Sequence, residues 1–199
     1  MPTPLPQNGA PDTHRERMAV EPATPVVVAL IGLPGAGKSV VSRSLVDQLG
    51  LRCVDRDAIR HAMFPRCSYS FVEKRAAFRS LLLALEINCM LGVSSVIDGC
   101  TFSRRADLLR VDQVVRRYRF RAIPVFLDCP AAVARARIVQ DIASDVHVAR
   151  DRNPDVVGEV LSRMEAPPPG SLTIDATLPA TEVCRLVVQS ISALLRPEA

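Results

Sequence analysis

The stretch VVVALIGLPGAGKS, residues 26–39, decides the reading of the chain. Its first six residues form a short, continuous apolar run, the pattern of a parallel strand covered on both faces. GLPGAGKS, residues 32–39, then matches GxxxxGK[ST]. Glycines in this spacing let the backbone curl so that successive N–H groups point inward at phosphate oxygens. A helical pattern follows, with Val41, Leu45, Val46 and Leu49 on one face, and its N-terminal dipole adds to the attraction for an anion. The motif predicts a nucleotide cradle of Gly32, Gly35, Ala36, Gly37, Lys38, Ser39 and Val40. Lys38 would reach the β- and γ-phosphates, and Ser39 would be a Mg²⁺ ligand. Of 25 basic residues only Lys38 and Lys74 are lysines, so one of the two stands where the motif requires it.

Outward from this core, strand and helix patterns alternate. Short strands are expected at 51–54, 93–98, 120–128 and 171–175. Helices are expected at 57–64, 71–91, 103–118, 130–142, 154–164 and 181–195, the second carrying Phe71, Phe78, Leu81, Leu82, Leu85 and Met90. The alternation predicts an α/β fold, a three-layer α/β/α sandwich with a five-stranded parallel sheet and a small lid at about 138–153. Right-handed crossovers place the ligand crevice at the carboxyl ends of the strands. Gly32–Ser39, Asp55–Arg60, Asp98–Arg105 and Asp128 each fall just after a strand.

Residues 1–25 hold six of the sixteen prolines and no apolar periodicity, which reads as a disordered leader before one domain at 26–199. No apolar run reaches the roughly 18 residues of a membrane span, and the N-terminus lacks the basic-then-apolar order of a secretory signal. Six cysteines without CxxC spacing read as small buried hydrophobes in a reducing, cytoplasmic setting. A net charge of +4, no Trp and two Tyr argue against a protein built to grip nucleic acid by stacking. His14, His61 and His147 have no metal-ligand spacing. None of the three asparagines precedes a lysine, so the guanine-reading NKxD element is missing, and there is no LSGGQ-like transporter signature. A compact kinase is what remains.

Three further segments resemble the small P-loop kinases. VDRDAIR (54–60) is similar to the RDxxR element of polynucleotide 5′-hydroxyl kinase, with like elements in adenylylsulfate kinases and zeta-toxin-like kinases. VIDGCTFSRR (96–105) resembles the third-strand end of the group, and FLDCPAAVARAR (126–137) its fourth-strand Asp and lid-entry arginine. The resemblance implies Asp57 as general base, Arg60 as a contact to substrate phosphate or transition state, Asp98 as the strand-end acid at the metal or acceptor, and Arg137 as the first lid arginine. The second lid arginine of polynucleotide kinase falls here on Asp141, so Arg150 or Arg152 would have to serve. Arg104 and Arg105 could hold an anionic acceptor or form a solvated face. Asp55 reads as a helix cap, and Asp57 carries the same structural alternative. The acceptor wall would lie in 59–91, where Met63, Phe64, Tyr69 and Phe71 mix with Arg66, Arg75 and Arg79.

The expected function is transfer of the γ-phosphate of ATP·Mg²⁺ to a hydroxyl of a small-molecule substrate, by a monomer or homodimer with no membrane partner. Two alternatives stand beside it: a polynucleotide 5′-hydroxyl kinase, and a regulatory nucleotide-binding protein without turnover. The complete set Lys38, Ser39, Asp57, Arg60 and Asp98 weighs against the last.

Overall fold

A computed structural model describes residues 24–143 and 153–195. The chain order is β1 (Val26–Ile31), α1 (Lys38–Leu49), β2 (Arg52–Asp55), α2 (Arg56–Met63), α3 (Phe71–Met90), β3 (Ser95–Asp98), α4 (Arg105–Arg116), β4 (Arg121–Asp128), α5 (Ala131–Ala143), α6 (Val156–Ser162), β5 (Leu172–Asp175) and α7 (Ala180–Leu194). The five strands form one all-parallel sheet in the order β2-β3-β1-β4-β5.

β1 is buried along its whole length, which is why its sequence shows no polar alternation. Its side chains still alternate between two cores. Val26, Val28 and Leu30 pack with Val41 and Leu45 of α1, Ile138 of α5, Val157 of α6 and Val187 of α7. Val27, Ala29 and Ile31 pack on the other face with Leu81 and Leu85 of α3 and Val111 and Val115 of α4. The expected three-layer α/β/α sandwich is therefore the architecture.

Two apolar expectations change. Phe71 and Met90 are exposed at 74% and 66%, because α3 turns only the Ala77, Leu81, Leu85 and Cys89 face to the sheet. Cys53 is exposed on the edge strand β2 and Cys67 is half-buried, whereas Cys89, Cys100, Cys129 and Cys184 are the buried hydrophobes expected. Burial holds the Cys100 thiol up at about 12 and the Cys89 thiol at about 11, so both are neutral. All six are free thiols. Residues 1–23 of the proline-rich leader, with His14, and also His147, Arg150 and Arg152 lie outside the described residues. The expected lid start at 138 falls inside α5, which continues as helix to Ala143. Among the described residues, no helix is long and apolar enough to cross a membrane.

Candidate active site

The carboxyl ends of β1, β2 and β3 meet at one end of the sheet. The loop after β1 closes on itself through Ala36 N–H to the Leu33 carbonyl (3.1 Å) and opens α1 through Val40 and Val41 N–H to the Gly37 carbonyl (3.1 and 3.2 Å). Gly35 has φ +82, and a methyl there would sit 2.4 Å from the Ala134 carbonyl oxygen. The loop thus lies directly on the backbone of α5, an approach open to glycine alone. Lys38 Nζ donates to the Gly32 and Leu33 carbonyls at 3.0 and 2.8 Å, so its ammonium is held over the mouth of the loop. Val40 is exposed on the first turn of α1.

Ser39 Oγ donates to Asp98 Oδ1 at 3.2 Å, and the same oxygen accepts Gly99 N–H at 2.7 Å. This puts a hydroxyl and a carboxylate together beside the phosphate cradle. Among the described residues, no group of three or more His, Cys, Asp or Glu is arranged to hold a metal ion. Two hard oxygens beside a phosphate loop nonetheless fit Mg²⁺, which keeps several waters and borrows phosphate oxygens.

Asp55, at the end of β2, caps α2 by accepting N–H bonds from Asp57 (2.8 Å) and Ala58 (3.3 Å). Burial raises its pKa above the usual carboxylate value, against the pull of those two bonds. The capping role falls to Asp55, and the Asp57 carboxylate is left for other contacts. Its Oδ1 is 3.1 Å from Arg56 Nη2 and 3.2 Å from Arg60 Nη2. Arg60 is buried, at 8% exposure, and its guanidinium stacks on the Tyr69 ring with 4.3 Å to the centroid. Gly99 joins the two acids: a methyl on it would lie 2.7 Å from Asp55 Oδ1 and 3.1 Å from Asp57 Cγ. Gly99 directly follows Asp98, so the base candidate lies against the residue next to the Ser39–Asp98 pair.

Arg137, on α5, lines a small cavity with Ala36, Gly37, Val41, Ala176, Leu178, Ala180 and Val183, between the phosphate loop and the segment after β5. Arg104 is exposed at the start of α4 and makes no side-chain cap. Arg105 is taken up elsewhere: its N–H donates to Glu165 Oε2 (2.8 Å) and its Nε to the Ala166 carbonyl (2.9 Å). It ties the chain beyond α6 to α4. Arg56 and Gly99 are the members that sequence reasoning did not single out, and Tyr69, expected in the acceptor wall, stands on Arg60 instead. Arg56 stood in plain view inside RDxxR, and Gly99 directly follows the strand-end acid. The Tyr69 contact had no local signal.

A family model described as an AAA domain matches residues 27–167. No curated protein matches the chain. Among solved structures, a protein from Chloroflexus aurantiacus J-10-fl described as a kinase is 25% identical, with TM-score 0.70 over 87% of this chain and 100% of that one. A gluconokinase from Sinorhizobium meliloti 1021 is 16% identical, with TM-score 0.65 over 86% of this chain and 94% of that one. The Mycobacterium tuberculosis APS kinase, solved with AMPPNP and APS, is 19% identical, with TM-score 0.62 over 86% of this chain and 99% of that one. With the sheet order, the phosphate loop and the match across residues 27–167 in agreement, the chain belongs to the AAA domain family and has the fold of the small P-loop kinases.

Proposed function

We propose that the protein is an ATP-dependent phosphotransferase that moves the γ-phosphoryl group of ATP·Mg²⁺ to a hydroxyl of a small molecule. The observation that carries this reading is the state of Asp57. Two arginines hold its Oδ1, so the carboxylate is oriented and its second oxygen is left to an acceptor, next to the Ser39–Asp98 pair.

In this reading Gly32, Gly35, Ala36, Gly37, Lys38, Ser39 and Val40 hold the phosphates, and Lys38 exchanges its two loop carbonyls for phosphate oxygens. Ser39 and Asp98 would hold Mg²⁺, which supplies neutralisation of phosphate charge. Asp57 orients the acceptor hydroxyl and takes its proton as the acceptor oxygen bonds to the γ-phosphorus and the bond to the bridging oxygen of ADP breaks. Arg60 supports the oriented carboxylate and offers positive charge beside the transferred group. Arg137, and Arg150 beyond the described residues, serve as the arginines of the transferring phosphoryl group, while Asp98 and Arg104 face the acceptor. Kinases of this kind depend on positioning and charge more than on covalent chemistry. A small hydroxylated acceptor is favoured because fold neighbours include a gluconokinase and a shikimate kinase solved with shikimate. The Asp57–Arg60 pair within RDxxR keeps a 5′-hydroxyl oligonucleotide as the second reading.

The test is transfer of labelled γ-phosphate to gluconate, shikimate, adenylylsulfate and a 5′-hydroxyl oligonucleotide. Asp57→Asn should lower transfer by about 10²–10⁴-fold and leave nucleotide binding intact. An active Asp57→Asn enzyme would remove the base assignment. Label on the oligonucleotide alone would replace the small-molecule reading.

A further inference from the structure

The turn between α2 and α3 is gathered around one carboxylate. Glu73 accepts N–H bonds from Ser68 (3.1 Å to Oε1, 2.9 Å to Oε2) and Ser70 (3.2 Å), and the Cys67 thiol reaches it at 3.4 Å. Ser70 Oγ accepts Glu73 N–H at 3.3 Å, completing a reciprocal cap. Between the two anchored amides lies Tyr69, with φ +56. A bulky residue in this region is a backbone outlier, and such outliers gather at sites where the surrounding structure has a use for them.

The ring itself points to that use. Tyr69 belongs to neither apolar core. It stacks on Arg60, whose side chain is 10% exposed and whose Nη2 meets Asp57 Oδ1. A guanidinium has many rotamers, and a single ion pair with a carboxylate that is itself 42% exposed would hold it loosely. A ring on one face removes that freedom.

We propose that Tyr69 is a positioning residue for phosphoryl transfer: the Glu73-anchored turn holds its ring on Arg60, and Arg60 holds Asp57 toward the acceptor hydroxyl. The proposal rests on the functional reading of Asp57 and Arg60 given above. Displacing a reacting group by about 1 Å can cost ~10²-fold in rate, so loss of the ring should fall mainly on kcat.

Tyr69→Gly is the informative variant, because glycine takes the left-handed turn without strain and removes the phenol side chain. Tyr69→Phe keeps the stacking. Two readouts apply: steady-state kinetics on whichever of the four acceptors carries label, and the Arg60 Nε–H proton resonance, assigned through its loss in Arg60→Lys. Tyr69→Gly should melt within a few degrees of wild type, lose about tenfold or more in kcat with KM for ATP within about twofold, and move the Arg60 resonance out of the ring current. Tyr69→Phe should restore both. Unchanged kcat in an active Tyr69→Gly enzyme, an unmoved Arg60 resonance, or a Tyr69→Phe enzyme as slow as Tyr69→Gly would each overturn the proposal. A wild type that transfers nothing to any acceptor would instead overturn the functional reading and the positioning role with it. An active wild type with an indifferent Tyr69 isolates the failure to the role.

Discussion

Gly35 and Gly99 show how closely single residues are fitted around the crevice. An added methyl at Gly35 meets the Ala134 carbonyl oxygen at 2.4 Å, and one at Gly99 meets Asp55 Oδ1 at 2.7 Å. Neither neighbour is a flexible side-chain end: one is helix backbone, the other a capping carboxylate. Gly35→Ala is therefore expected to lower unfolding stability by about 1–3 kcal/mol in urea titrations. Gly99→Ala should lower transfer at saturating ATP, because Asp57 must move with the cap. The phosphate loop was legible because all its members lie within nine consecutive positions. The Asp57–Arg60 pair was legible through the resemblance of VDRDAIR to the RDxxR element, which sets the two at i, i+3 on a helix. The Tyr69–Arg60 stack was not, since it depends on one left-handed residue and on the reach of Glu73 back to Ser68. The Arg105 contacts were equally hidden, because their partners Glu165 and Ala166 come 60 and 61 positions later.

At the scale of the element, α3 carries the clearest end signal in the chain. Its reciprocal cap of Ser70 and Glu73 predicts that Ser70→Ala costs about 1 kcal/mol in chemical denaturation. The Glu73 carboxylate also gives a pH signature. Desolvation works against its charge, but the Ser68 N–H, the Cys67 thiol and the Ser70 N–H prevail and hold its pKa below the ordinary 4.5. A carboxylate lowered in the folded state contributes stability above its unfolded pKa, and that contribution is lost as pH falls through the folded one. The melting difference between wild type and Glu73→Gln should thus be full near neutrality and shrink as pH drops below 4.5. A difference that persists at low pH would mean the carboxylate charge is not what matters. Strand and helix types were readable from apolar runs and periodicity. Their ends were less so, because distant partners and local turn geometry set them. Residues 93 and 94 are spent before β3 begins, with Val93 N–H on the Asn88 carbonyl and Ser94 taking N–H groups of Arg52 and Val26. α4 stops at Arg116, ahead of a turn that puts Arg119 at φ +60.

Across the whole molecule the sheet separates two apolar cores that share only its strands. Leu45 and Leu85 are fully buried on opposite sides. Truncating each to alanine should cost about 2–5 kcal/mol, and the double variant should equal the sum within about 0.5 kcal/mol in equilibrium unfolding. A marked departure would mean that the sheet transmits repacking from one face to the other. The fold class was legible because strand–helix alternation leaves few topologies. The strand order β2-β3-β1-β4-β5 carries a further consequence, for the order in which the chain is made. β1 and β2 are not neighbours, and both wait for β3. A ribosome-bound chain that ends before Ser95 therefore holds two strands with no mate, one of them the most apolar run in the protein. When β3 emerges it serves both at once, and the sheet starts from its third strand rather than its first. Nascent chains stalled before and after residues 95–98 clear the ribosomal exit tunnel should differ abruptly in protease resistance, whereas chains stalled at any two points that leave β3 inside the tunnel should not.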